Sequence, residues 1–99
     1  MPSKPFRFDP EALEEFRNAG RWYRARNPIV ASEFRSVASA AVREIVRAPQ
    51  RNAKYLYGTR RLIMQRFPFS VVYLDDPDLI TIVAVAHSKR KPGYWKDRL

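Results

Sequence analysis

The chain has 99 residues, no cysteine and a single histidine, so it offers no disulfide framework, no thiolate metal site and no zinc site of the usual kind. Nineteen Lys and Arg against ten Asp and Glu give a formal charge of +9 and a sequence pI near 10.5, which calls for an anionic partner: nucleic acid, an acidic protein or an anionic membrane. The length suits a single domain over 1–99, and 45% hydrophobic residues can fill one modest core. The start, Met1 to Phe6, has no apolar stretch of signal-peptide length, and no run reaches the roughly 20 residues of a membrane helix, so a cytoplasmic protein is expected.

In chain order, Phe6-Arg7-Phe8 alternates and reads as a short first strand. Asp9-Pro10-Glu11 is a helix start, with Asp as cap, Pro at the first helical position and Glu favoured by the helix dipole. Leu13, Phe16, Gly20 and Tyr23, flanked by Ala12 and Ala19, form an apolar stripe, with Glu14, Glu15, Arg17, Arg21 and Arg24 on the remaining surface. Asn27-Pro28 interrupts the pattern. A second stripe, Val30, Phe34, Val37, Ala38, Ala41, Val42 and Ile45, predicts a helix from about Val30 to Arg47, stopped by Pro49. The short connection makes the two helices an antiparallel hairpin.

Residues 50–59 read as a loop in which Tyr55 and Tyr57 either pack or meet a partner. Three strands are expected at about 60–67, 69–75 and 79–87, broken at Pro68 and at Asp75-Asp76-Pro77-Asp78. Strict alternation on the first would put Ile63 and Phe67 on one face and Leu62, Met64 and Arg66 on the other. The tail from Tyr94 to Leu99 suits a short helical turn. The order β-α-α-β-β-β predicts an α+β fold of two layers, a helix hairpin on an antiparallel sheet. Phe16, Phe34, Phe67, Phe69 and Tyr73 are expected in its core.

No glycine-rich phosphate loop, metal cluster or nucleophile motif is present, so neither a cofactor nor a metal is expected. His87 at the end of the last strand is either a general acid or base or a strand-end histidine that bonds the adjoining loop. Lys89, Arg90 and Lys91, interleaved with Tyr94 and Trp95, suit phosphate contact with base stacking. The alternative is a solvated loop whose aromatics fold back on the core. Arg60, Arg61 and Arg66 either join that loop as one contact surface or are edge-strand charges that suppress aggregation.

Asp9-Pro10-Glu11-Ala12-Leu13-Glu14-Glu15-Phe16, Trp22-Tyr23 before Asn27-Pro28, Gly58-Thr59-Arg60-Arg61-Leu62, Arg66-Phe67-Pro68-Phe69-Ser70-Val71-Val72-Tyr73, and Ala84-Val85-Ala86-His87 through Pro92-Gly93-Tyr94-Trp95 together resemble the RelE/ParE family of type II toxin–antitoxin modules. The resemblance spans nearly the whole chain. It implies a growth-inhibiting toxin, of the kind linked to plasmid stabilisation, neutralised by a cognate acidic antitoxin. The family divides between ParE-like inhibitors of DNA gyrase and RelE-like, metal-independent endoribonucleases that cut messenger RNA on the ribosome. For a nuclease, the resemblance implies Arg61, His87, Arg90 and Tyr94 as the working group. The positions of two further RelE cations fall at Ser70 and Ile63, so the ParE-like reading is preferred. Arg60, Arg66, Lys89, Lys91 and Trp95 are the expected contacts to the target or to nucleic acid.

Overall fold

The computed structural model describes residues 4–99. Its elements are β1 (Phe6–Phe8), α1 (Pro10–Arg26), α2 (Pro28–Arg47), β2 (Arg60–Ile63), β3 (Phe69–Asp75) and β4 (Ile80–His87), with single 3-10 turns at Leu56–Gly58 and Lys96–Arg98. The strands lie in the order β1-β4-β3-β2. β2, β3 and β4 form the expected antiparallel meander, and β1 joins β4 in parallel, so the four-stranded sheet is mixed. The helices cover one face, which makes the two-layer α+β fold. Among the described residues no helix is long and apolar enough to cross a membrane.

Local chemistry sets the helix ends. The Asp9 carboxylate accepts the Glu11 N–H at 2.9 Å, and Pro10 occupies the first helical position. Asn27 serves both helices. Its N–H closes α1 on the Tyr23 carbonyl, and its side chain accepts the Ile29 N–H at 3.0 Å. That cap lets α2 begin at Pro28, two residues before its apolar stripe. Small residues at the contact (Ala12, Ala19 and Gly20 on α1; Ala31, Ala38 and Ala41 on α2) are buried and admit close packing.

Phe34 is the hub of the core. Its ring centroid lies 5.9 Å from Phe16, 5.2 Å from Tyr23, 5.4 Å from Phe67 and 5.4 Å from Phe69. Tilted and edge-on pairs at such spacings add attraction to the area they bury. Tyr73 is fully buried, and its hydroxyl donates to the Pro49 carbonyl at 2.6 Å, which pins the end of α2 to the sheet.

The far face of the sheet is covered as well. Val72, Val83 and Ala84 lie beneath Trp95, with Tyr55, Leu74 and Tyr94 around them. This second layer explains why β3 and β4 read as nearly continuous apolar runs instead of alternating.

β2 stops at Ile63, four residues before the expected boundary. The chain then turns through Arg66, whose φ is +70°, and Met64 and Phe67 both enter the helix-side core that alternation would have divided between faces. Phe67 is drawn under Phe34 and Tyr23, and Pro68 has no N–H with which to extend the ladder.

Candidate functional site

The site is built along the second half of β4, beyond a fault in the middle of the strand. Val72 pairs with Ala84 but Tyr73 pairs with Ile82, so Val83 is an extra residue in β4. β1 also ends here, its last partner being Ile82. Beyond that point the outer edge of β4 needs other partners for its backbone. Glu15 and Arg98 provide them. Glu15 Oε1 accepts the Val85 N–H at 3.1 Å, and Arg98 Nη1 donates to the Val83 carbonyl at 3.1 Å.

The two side chains also bind each other. Arg98 Nη1 and Nη2 donate to the two oxygens of Glu15 at 2.8 and 3.1 Å, and the Tyr94 hydroxyl donates to Glu15 Oε2 at 2.5 Å. Arg98 Nε reaches Glu11 at 3.1 Å. Burial, and then the Glu15 carboxylate on its hydroxyl, push the Tyr94 pKa well above the usual tyrosine range. This clasp fixes the tail to α1 and β4, and so fixes both ends of the loop from Ser88 to Gly93. Gly93 permits the return turn: its φ is +82°, and a Cβ there would stand 3.0 Å from the Tyr57 ring.

The clasp brings the sequence-predicted residues together. Arg61, His87, Arg90 and Tyr94, with Ser70 and Lys91, line one small depression of about 80 Å³. The Arg61 guanidinium lies 4.1 Å above the Tyr55 ring, and that of Arg90 lies 3.9 Å above the Tyr94 ring. Both make cation–π contacts, and among the described residues no carboxylate lies within ion-pair distance of either. His87 Nδ1 accepts the Lys89 N–H at 3.0 Å, and its ring meets Phe69 edge-on at 5.1 Å. That acceptor geometry assigns the neutral ring's proton to Nε2. The bond ties the ring to the loop backbone, as a strand-end histidine would be tied, while the side chain still lines the depression.

The expected contact residues divide. Lys89 and Lys91 are exposed on the loop. Arg60 turns inward, donating to the Asn52 carbonyl at 2.7 Å and the Gln50 carbonyl at 3.3 Å, and so anchors the 50–52 segment. Arg66 pairs with Glu33 across the turn. Trp95 is corrected outright: it is 1% exposed and belongs to the second core, so its ring is closed to any partner.

Behind the depression lies a larger groove of about 460 Å³. Its apolar walls are Ala19, Trp22 and Tyr23 of α1 and Pro68, Phe69 and Val85 of the sheet, and His87, Arg90 and Tyr94 close one end. Trp22 is 53% exposed, and Arg26 stacks 3.6 Å above it. Sequence patterning gave no site role to Trp22, Glu15 or Arg98. Glu15 falls on the charged side of α1 by periodicity, and only its nearness to Leu13 and Phe16, against a bulged strand far along the chain, marks it as half-buried.

The sequence pattern of the family described as "ParE toxin of type II toxin-antitoxin system, parDE" matches residues 6–92. The chain belongs to the ParE toxin family. The match includes β1, both helices and the whole sheet, and runs into the terminal basic loop. A solved structure described as "Chromosomal ParDE TA system from P. aeruginosa" superposes with a TM-score of 0.77 at 16% identity, covering 88% of this chain and 98% of that one. At that identity the likeness speaks for the fold. No curated protein sequence matches the chain. Membership of the ParE family carries with it a toxin–antitoxin context and an antitoxin partner.

Proposed function

We propose that this ParE-family chain is a cytoplasmic toxin that inhibits bacterial growth by binding DNA gyrase, and that an acidic cognate antitoxin neutralises it. The observation that carries the choice of target is the Ile63–Ser70 pair. These are direct cross-strand partners, and they stand where the RelE-like resemblance implies two cations. Ile63 is 62% exposed, so the rim of the sheet beside Arg61 presents a neutral, partly apolar surface. A ribonuclease needs fixed positive charge around the phosphate where charge develops. The cations that are present, Arg61 on β2 and Lys89, Arg90 and Lys91 on the loop, suit a binding surface.

The groove beside α1 supports an antitoxin of particular chemistry. Apolar side chains would bury against Trp22, Tyr23 and Phe69, and carboxylates would meet Arg90 at the groove's end. Such a segment loses chain entropy on binding and recovers it through that burial and charge pairing. By occupying the groove it would also cover His87 and Arg90 next to the loop.

The test is supercoiling of relaxed plasmid by gyrase with Lys89→Gln/Arg90→Gln/Lys91→Gln and, separately, His87→Ala. The triple variant is expected to lose inhibition by tenfold or more, and His87→Ala to keep it. Full inhibition by the triple variant would remove the loop from the account.

A further inference from the structure

The outward face of α2 is built against its own stability. Ser32, Arg35, Ser36, Ser39 and Arg43 line one shallow polar surface, and Arg47 continues the row one turn on. Serine is a poorer helix former than alanine, and an exposed arginine gains from a carboxylate one turn before it. This face has three serines and no acid. The two acids of α2 are engaged on its flank, Glu33 with Arg66 and Glu44 with Arg51 at 3.9 Å. Among the described residues, no carboxylate lies within ion-pair distance of Arg35, Arg43 or Arg47.

We propose that this face of α2 is a binding site for the sugar–phosphate backbone of duplex DNA. Arg35 and Arg43 are eight residues apart on a continuous helix, which separates their backbones by about 12 Å along the axis. The major groove of B-form DNA is about 12 Å wide, so the two guanidiniums can reach the phosphates on its two sides while the helix lies across it. The serine hydroxyls between them add donors to phosphate oxygens without the bulk that would hold the helix off. A-form RNA has a deep, narrow major groove that does not offer this span. No aromatic side chain lines the surface, so it lacks the stacking platform by which single strands are held. The surface shares no residue with the groove or the depression, so the inference stands apart from the gyrase reading.

The experiment is fluorescence anisotropy of a labelled duplex of about 20 base pairs with the full chain, titrated between 50 and 200 mM salt, conditions over which phosphate contacts show as a steep loss of affinity. Arg35→Gln/Arg43→Gln is expected to make the slope of log K against log salt shallower by about 2, the loss of two phosphate contacts at about 0.9 each. Arg17→Gln/Arg24→Gln removes the same charge from exposed positions on α1 and is expected to leave the slope nearly unchanged. Ser32→Ala/Ser36→Ala/Ser39→Ala is expected to raise the melting temperature while weakening DNA binding severalfold, a combination that damage to the fold cannot give. Equal losses from the two arginine doubles would reduce the effect to net charge and overturn the proposal. So would unchanged affinity in the serine variant, or tighter binding to single-stranded RNA than to the duplex.

Discussion

Glu15 on α1 and Arg98 in the terminal turn hold each other by two hydrogen bonds and together satisfy the backbone of β4 on either side of Ala84. The pair does what a longer β1 would do. It covers the strand edge where the sheet is faulted, and in doing so it ties the end of the chain to the first helix. The basic loop hangs between this clasp and the end of β4. The presentation of Arg90 therefore depends on a carboxylate far away in sequence.

Removing that carboxylate should cost much of the stability. The side chains of Glu15 and Arg98 are 17% and 10% exposed, so Glu15→Ala leaves the Val85 N–H without its acceptor and the nearly buried guanidinium with only the exposed Glu11 carboxylate and the Val83 carbonyl. A buried charge left with no counter-charge costs about 3–5 kcal/mol, and because Glu11 stays beside Arg98 the loss here should fall below that range. Chemical denaturation measures it. Glu15→Gln, which keeps an acceptor, should cost less, and Glu15→Ala/Arg98→Met should be less destabilised than the sum of its two single variants.

Alkali should weaken the fold through its tyrosines. Burial raises the pKa of Tyr73 and of Tyr94, the latter further through Glu15. For each, the folded state holds the proton to higher pH than the unfolded chain, whose tyrosines titrate near ~10. Their contribution is complete below that pH and is lost as pH rises through the folded-state values. Melting temperatures above pH ~10 should fall, and Tyr94→Phe should flatten part of the decline. An equal decline in that variant would exclude Tyr94 as a source.

The two tryptophans should report opposite environments. Trp22 is 53% exposed and Trp95 is 1% exposed. Trp22→Phe should leave blue-shifted emission that iodide barely quenches, and Trp95→Phe should leave red-shifted emission that iodide quenches readily. A quenchable Trp95 would mean that the tail is not docked on the sheet.

Gly93→Ala should strain the return of the basic loop. The position combines a φ of +82° with the Tyr57 ring 3.0 Å from the added carbon. A left-handed residue with a side chain costs about 1–2 kcal/mol before any clash. The variant should melt several degrees lower, and hydrogen exchange should rise first in residues 88–93.

The helices and the last two strands were legible because local signals fix them. Asp9-Pro10 and Asn27-Pro28 mark the helix ends, the apolar stripes mark the buried sides, and the runs from Phe69 and Leu79 are rich in β-branched residues. The end of β2 was not legible, since the left-handed turn at Arg66 and the packing of Phe67 against Phe34 on α2 have no local signature. The second core was hidden for a similar reason. Nothing local distinguishes Trp95 as a core residue from Trp22 as an exposed one. Arg61, His87, Arg90 and Tyr94 were found together from the family resemblance, while the Glu15–Arg98 clasp that assembles them joins residues 83 apart, each of which alone reads as surface charge.

The most direct measurement sets two reactions side by side with the purified chain: supercoiling of relaxed plasmid by gyrase, and cleavage of a message on programmed ribosomes, each with and without the antitoxin. The account predicts lost supercoiling, an intact message and recovery on adding the antitoxin. Cut message with normal supercoiling would contradict it and make Arg61, His87, Arg90 and Tyr94 a nuclease site.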